Sequence, residues 1–96
     1  MDRIQTLVAL LRGTVADPAQ LAPAVKEFQS VVFSSTGQDL GASPTIVDAL
    51  RTLAYDLDFY VPDPQARGED PAYYGDERAL REIEQTLMTL HSLGAA

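Results

Sequence analysis

The chain has 96 residues, no cysteine and a formal net charge of −7, which limits it to one domain over residues 1–96 and excludes disulfides and thiolate metal sites. The charge is uneven, because residues 1–47 hold four acids and three bases whereas residues 48–96 hold ten acids and four bases. An acidic field of this kind repels nucleic acid and anionic lipid, and it accelerates encounter with a basic partner.

The first apolar stripe predicts a helix over residues 2–12. Its members recur at intervals of three and four residues, which places them on one helix face: Ile4, Leu7, Val8 and Leu11. Gly13 is expected to end this helix, because glycine commonly follows a helix terminus. The apolar run is interrupted by Gln5 and Thr6 and lacks a signal-peptide cleavage pattern, so we assign it to the mature protein.

A second helix is predicted to begin at Asp17 and Pro18, a capping acceptor followed by a residue whose φ is already helical, with Pro23 as an alternative start. Its regularly spaced apolar residues are Leu21, Val25, Phe28 and Val32. Two more apolar residues, Val31 and Phe33, make this helix the most hydrophobic, and we expect it to be the most buried. The residues expected to end it are Thr36, Gly37 and the QDLGAS segment (38–43).

A third helix is predicted to start at Ser43 and Pro44, where the sequence repeats the signal of a cap followed by proline. One face of this helix carries Ile46, Leu50, Leu53, Leu57 and Tyr60. Pro62 and Pro64 prevent it from continuing, because proline lacks the N–H that an interior helical residue donates. A long connection over residues 61–75 follows.

A fourth helix is predicted to begin at Asp76 as its N-cap, with Glu77 in the first turn, where the helix dipole favours a negative charge. Its apolar face consists of Leu80, Ile83, Leu87 and Leu90. Glu77 and Arg81 are spaced as an i,i+4 ion pair, which supports the helix assignment. Four amphipathic helices joined by two shorter connections and a long one predict an all-α fold, a small antiparallel four-helix bundle.

The residues do not match a catalytic or metal-binding pattern, so we expect neither enzymatic activity nor a metal or cofactor. His91 is the only histidine and is expected to pack or to cap a helix, and no serine has a recognisable partner base. A calcium loop starting at Asp56 fails, because Tyr60 and Val61 stand where a ligand and a glycine are required. No apolar stretch approaches the ~20 residues that span a bilayer. We therefore expect a cytoplasmic protein without a membrane partner.

Residues 55–77, YDLDFYVPDPQARGEDPAYYGDE, combine seven carboxylates with five aromatic rings. A solvated face that keeps the protein soluble is the ordinary explanation of such acids. However, Tyr55 and Phe59 lie on the face of the third helix opposite its apolar residues, so either the following connection or a partner must cover them. One of Tyr73 and Tyr74 is expected to pack back onto the helices and hold the connection in place.

The C-terminal half resembles a family of bacterial immunity proteins. The stretch FYVPDPQARGEDPAYYGDERALREIEQTL (59–87) is similar to the end of the self-protective colicin-like immunity proteins of the colicin D immunity type. In that family a helix ends in a Phe/Pro/Asp segment, followed by Arg, Tyr and an acidic turn that opens the last amphipathic helix. The matching positions are Phe59, Pro62, Asp63, Arg67, Tyr73 or Tyr74, Asp76, Leu80 and Ile83. The inserted GEDPA segment (68–72) departs from the family pattern by lengthening the connection.

The resemblance implies a bundle, monomeric when free, that binds and inhibits the tRNA-cleaving domain of a toxin without binding nucleic acid itself. A ribonuclease that cleaves tRNA must present a basic groove, which a scaffold of carboxylates can occupy in place of substrate phosphates. The candidate toxin-binding residues are Tyr55, Asp56, Asp58, Asp63, Glu69, Asp70, Tyr73, Tyr74, Asp76 and Glu77. The alternative is an acidic helical adaptor or homo-oligomer, in which Tyr55 and Phe59 seal a symmetric interface.

Overall fold

The computed structural model describes residues 3–35 and 43–95. The helices in these ranges are α1 (Arg3–Ala16), α2 (Leu21–Ser34), α3 (Pro44–Asp56), α4 (Pro64–Arg67) and α5 (Asp76–Ser92). Single 3₁₀ turns precede α2, at Pro18–Gln20, and follow α3, at Leu57–Phe59. The prediction of an all-α chain is confirmed, and α4 is a one-turn helix that the sequence pattern did not predict.

The four longer helices contact one another in a ring, in which α1 and α3 each contact both α2 and α5. At one end of α1, Arg3 donates from Nη1 to the Ser35 hydroxyl, 2.8 Å away, so α1 and α2 run in opposite directions. Further along the ring, Gln29 on α2 donates to the Ala54 carbonyl at 2.9 Å. The ring places each apolar stripe against two neighbours around one core.

The core consists largely of the predicted apolar stripes. Phe28 of α2 is its largest fully buried side chain. The predicted residues of α1 and α2 are all buried, as are Leu50, Leu53 and Leu57 of the third predicted helix and Ile83 and Leu90 of α5. The other predicted core residues are only partly buried against this core: Ile46, Tyr60, Leu80 and Leu87. The smaller buried side chains beside them are Val47, Ala54 and Ala79.

The helix boundaries correct several sequence predictions. Gly13 does not end α1, which continues to Ala16 and buries Thr14, whose hydroxyl donates to the Leu11 carbonyl at 2.6 Å. The helix ends at Asp17 because this residue precedes Pro18, and the proline ring disfavours helical φ and ψ in the residue before it. Asp17 accordingly adopts φ −136° and ψ 84°.

Replacing Gly13 with alanine is expected to stabilise the protein by about 0.5 to 1 kcal/mol, because glycine inside a helix costs conformational entropy. The position has room, since a Cβ there would meet no atom within 4 Å. Urea unfolding of Gly13→Ala beside the unsubstituted chain measures the change. A loss of stability would show that the helical backbone at this position is strained.

Of the remaining helix starts, that of α3 agrees with the prediction, whereas those of α2 and α5 differ from it. Pro18, the first predicted start of the second helix, opens the 3₁₀ turn. The helix α2 itself begins at Leu21, between this start and the alternative at Pro23. The Ser43 cap is confirmed, because its hydroxyl accepts the Ile46 N–H at 3.4 Å. In α5 the N-cap residue is Gly75 rather than Asp76, which is the first helical residue.

Two more findings bear on the sequence predictions. Phe33 is 46% exposed, so this extra apolar residue of α2 faces solvent and does not add to the core. Residue 2 of the first predicted helix, and residues 36–42 of the predicted loop after α2, lie outside the described residues. In the parts of the chain that are described, no helix is long and apolar enough to cross a bilayer.

Candidate functional site

Three large aromatic side chains are exposed on α2, on α3 and on the 3₁₀ turn that follows α3. The exposed fractions are 46% for Phe33, 62% for Tyr55 and 44% for Phe59. The rings of Phe33 and Tyr55 are in contact, with centroids 5.1 Å apart and planes tilted by 49°. Such a tilted arrangement is favourable for aromatic pairs and holds both rings in a defined position. We call these three residues the aromatic patch.

Carboxylates accompany the aromatic patch along α3 and the turn after it. Asp58, between two patch residues, is exposed and accepts a hydrogen bond from Gln29 Nε2 at 2.9 Å. Asp48 is exposed two turns earlier on α3. Arg51, the basic residue of this helix, is half-buried, with Nη2 3.5 Å from the Ser35 carbonyl oxygen. The chain therefore places near these rings one carboxylate held by a hydrogen bond, Asp58, and a second exposed carboxylate, Asp48.

A second feature holds the acidic connection against the helices. Tyr74 is only 7% exposed, and its hydroxyl donates to the Asp56 carbonyl at 2.7 Å and lies 3.1 Å from Asp56 Oδ2. Its ring stacks on Tyr60, with centroids 6.4 Å apart, and the Tyr60 hydroxyl donates to Asp76 at 2.6 Å. We call Asp56, Tyr60, Tyr74 and Asp76 the tyrosine latch. It joins the end of α3 to the start of α5.

Backbone hydrogen bonds close the same connection. The Tyr74 N–H donates to the Phe59 carbonyl at 2.9 Å, and the Val61 N–H donates to the Tyr74 carbonyl at 2.9 Å. The chain thus leaves and returns at one place, and the intervening residues 62–73 form a closed loop, which we call the acidic loop. Closure at its base restricts where its carboxylates can lie.

The latch raises the pKa of both tyrosine hydroxyls above the ordinary value. For Tyr60 the largest cause is burial, followed by the hydrogen bond to Asp76 and the negative charge of that carboxylate. For Tyr74 burial again comes first, followed by the charge of Asp56 and the hydrogen bond to it. Each hydroxyl therefore remains a donor well above neutral pH.

Two acids of the acidic loop organise local turns. Asp63 caps α4 by accepting the Gln65 N–H at 3.0 Å, and Asp70 accepts the Ala72 N–H at 2.8 Å. Both carboxylates are oriented by backbone groups, so they lose little freedom on meeting a partner. Glu69 is exposed between them.

The ten candidate residues predicted from sequence separate into three classes of exposure. Six side chains are exposed: Tyr55, Asp58, Asp63, Glu69, Asp76 and Glu77. Asp56, Asp70 and Tyr73 are half-buried, and Tyr74 is buried. The prediction that one of the paired tyrosines holds the connection is confirmed, with Tyr74 in that role. Tyr74 is therefore corrected from a surface anchor to a structural residue.

Several of these acids already have hydrogen-bond or ion-pair partners within the protein. Tyrosine hydroxyls bind Asp56 and Asp76 in the latch. Glu77 lies 3.5 Å from Arg81, with a side chain that is 92% exposed, so this pair is loose and weak. Phe33 was not among the predicted site residues. It lies off the apolar stripe of α2, which is a signal in the sequence that it faces away from the core.

Within residues 3–35 and 43–95, no group of three or more histidine or acidic side chains is placed to hold a metal ion. In comparisons with models of protein families, with curated proteins and with solved structures, the chain matches none.

Proposed function

We propose that this protein is an immunity protein that binds and inhibits a basic nuclease toxin domain, of the kind that cleaves tRNA, and that its helix ring is an antiparallel four-helix bundle. The resemblance of residues 59–87 to colicin D-type immunity proteins supports the proposal. The single observation that carries it is the aromatic patch, exposed beside the Asp58 carboxylate that Gln29 holds.

Each part of the surface has a physical role in this proposal. Exposed rings supply contact area that is desolvated on binding, and tyrosine and other aromatic residues dominate the energetics of many interfaces. Carboxylates held by Gln29 and by backbone N–H groups stand in for the phosphates of the nuclease substrate. Because these groups are already oriented, binding costs little conformational entropy.

The charge distribution supports a basic partner. The excess of acids in the second half attracts a cationic groove over a distance and raises the association rate at low salt. Salt weakens this attraction by screening the charges, because the Debye length is only about 8 Å at physiological ionic strength and shorter at higher salt. Inhibition by such a surface is competitive with RNA, since both occupy the basic groove.

The aromatic patch also favours a second candidate, a homo-oligomer in which two copies cover each other's rings. Self-association must overcome repulsion between chains of net charge −7. Sedimentation velocity of the protein alone separates the two functions. A monomer fits the immunity proposal, whereas a stable dimer that buries Tyr55 supports the homo-oligomer.

The proposal is tested by neutralising three acids without changing their shape. The combined variant Asp63→Asn, Asp70→Asn and Glu77→Gln retains an acceptor oxygen at each position, so the turns of the acidic loop persist. We expect its thermal midpoint to stay within a few degrees of the unsubstituted protein. Association with the proposed partner, a cationic tRNA-cleaving domain, should slow by about tenfold or more at low salt. Stopped-flow or surface-based kinetics measure the rate.

A second triple variant is the matched control. Asp17→Asn, Glu27→Gln and Glu84→Gln remove the same charge from exposed positions outside the candidate set. If only total charge matters, both variants slow association equally. If the acidic loop faces the nuclease, the first variant is slower. Unchanged association in the first variant removes these acids from the interface.

A further inference from the structure

Three of the four arginines in the acidic half of the chain line one cavity at the start of α5. The cavity measures about 270 Å³, and its lining residues are Arg67, Gly75, Asp76, Glu77, Arg78 and Arg81. We call it the arginine pocket. Its lining combines three arginines with two carboxylates, in a half of the chain that is otherwise strongly acidic.

Arg67 is the central group of the pocket. Its Nε is buried and has no hydrogen-bond partner, although a buried donor without an acceptor costs about 1 to 3 kcal/mol. The guanidinium lies against the backbone of Gly75, where a Cβ would collide with Nη1 and lie 2.8 Å from Cζ. The absence of a side chain at residue 75 thus lets the guanidinium reach the first turn of α5.

The two carboxylates of the pocket are directed to other partners. Asp76 accepts the Tyr60 hydroxyl in the latch, and Glu77 extends toward Arg81 at 3.5 Å. Arg78 has its Cζ 4.9 Å from the centre of the Tyr74 ring and a distant ion pair with Glu82 at 3.7 Å. Neither carboxylate forms a salt bridge with Arg67 within these described contacts.

Helix polarity adds to the positive field. The first turn of a helix presents N–H groups without intrahelical acceptors and a partial positive charge, so cations there are unfavourable and anions are favourable. α5 is 17 residues long, and Arg67, Arg78 and Arg81 line the pocket at its start. A bound oxyanion would accept from these donors and offset the repulsion among them.

We propose that the arginine pocket binds the phosphate group of a small molecule, with Arg67 as its main ligand. Planar guanidinium groups bind phosphate through paired hydrogen bonds, and the pocket supplies several such donors. A small anion fits better than a long nucleic acid, because the net charge of −7 repels a polyanion over its length. The pocket shares Asp76 and Glu77 with the candidate toxin-binding residues, but phosphate binding is measured without a toxin and does not rest on the proposed function.

The test is a titration of the intact protein with inorganic phosphate at constant ionic strength, balanced with chloride. We expect saturable binding by ³¹P NMR line broadening and a rise in the thermal midpoint with phosphate concentration, since a ligand of the folded state stabilises it. A parallel titration with a phosphomonoester, such as a nucleoside monophosphate, identifies which source of phosphate binds more tightly. Tighter binding of either form supports the site.

Three variants distinguish this site from nonspecific ion binding. Arg67→Gln should weaken phosphate binding about ten- to hundredfold, the effect of losing charged hydrogen bonds. Gly75→Ala keeps every charge but displaces the Arg67 guanidinium, so it should weaken binding as well. Arg12→Gln removes an equal charge from an exposed position on α1 and should bind like the unsubstituted protein.

Circular dichroism confirms that each variant is folded before titration. Equal loss of binding in Arg12→Gln would show an effect of total charge and overturn the proposal. The proposal would also be overturned if chloride raised the thermal midpoint as much as phosphate does. It would equally be overturned if Arg67→Gln and Gly75→Ala both bound phosphate like the unsubstituted protein.

Discussion

Replacing Tyr74 with alanine is expected to destabilise the protein by about 3 to 5 kcal/mol, the range for removal of a large buried aromatic side chain. The substitution removes a ring that is 7% exposed and stacked on Tyr60, together with the hydrogen bond to Asp56. Domains of this size are stable by only about 5 to 15 kcal/mol, so the variant should be marginally folded. Urea unfolding followed by circular dichroism measures the loss.

Tyr74→Phe separates the hydroxyl from the ring. It keeps the packing but leaves the Asp56 carbonyl without its donor, so we expect a loss of about 1 to 2 kcal/mol. Tyr73→Ala, at the neighbouring half-buried position, is the control and should cost clearly less than Tyr74→Ala. Equal effects at the two positions would contradict the assignment of Tyr74 to the latch.

The latch also predicts how stability depends on alkaline pH. The folded-state pKa values of Tyr60 and Tyr74 are raised above the ordinary value of 10.0, so the unfolded chain loses these protons first. Their contribution to stability is complete below about pH 10 and declines as the pH rises above it. Unfolding free energies measured from pH 8 to pH 11 should fall less steeply in Tyr74→Phe, because one of the two groups is gone.

The second large effect is expected at the aromatic patch. Under the proposed immunity function, Tyr55→Ala should weaken binding to the nuclease partner by about 2 kcal/mol or more, roughly thirtyfold, because exposed aromatic residues commonly dominate interface energies. Its stability should change by less than about 1 kcal/mol, since Tyr55 is 62% exposed and packs mainly on Phe33. Isothermal titration calorimetry and urea unfolding measure the two quantities separately.

Met88→Ala is the matched control for the patch. Met88 is 70% exposed on α5 and belongs neither to the aromatic patch nor to the acidic loop. We expect its affinity for the nuclease to equal that of the unsubstituted protein. If Tyr55→Ala binds the nuclease normally but abolishes a dimer in sedimentation, the patch is a homo-oligomer interface instead.

The tyrosine latch and the aromatic patch are adjacent along the chain. Phe59 belongs to the patch and its carbonyl accepts the Tyr74 N–H, while Asp56 of the latch directly follows Tyr55. Loss of the latch is therefore expected to loosen the acidic loop and the end of the patch together. Tyr74→Phe should slow toxin binding only modestly, because its ring still packs.

Which segments form the longer helices, and which of their faces are buried, could be predicted from the sequence, because both depend on interactions within a few residues. Hydrophobic spacing near 3.6 residues determines which helix face can be buried, and the α1 stripe is buried as predicted: Ile4, Leu7, Val8 and Leu11. The Ser43 cap and the proline after it likewise act within one turn. Gly13 shows the limit, because a glycine permits but does not force a helix end, and the Asp17–Pro18 pair provides the stronger stop.

The site depended on contacts between residues far apart in sequence, which local patterns do not encode. Tyr73 and Tyr74 are adjacent residues of the same type, and the packing of Tyr74 on Tyr60 and its hydrogen bond to Asp56 distinguish them. The contact of Phe33 with Tyr55 arises from the packing of α2 on α3. Sequence thus determined the helices and their acidic surface, whereas tertiary packing decided which rings are exposed and which carboxylates are already engaged.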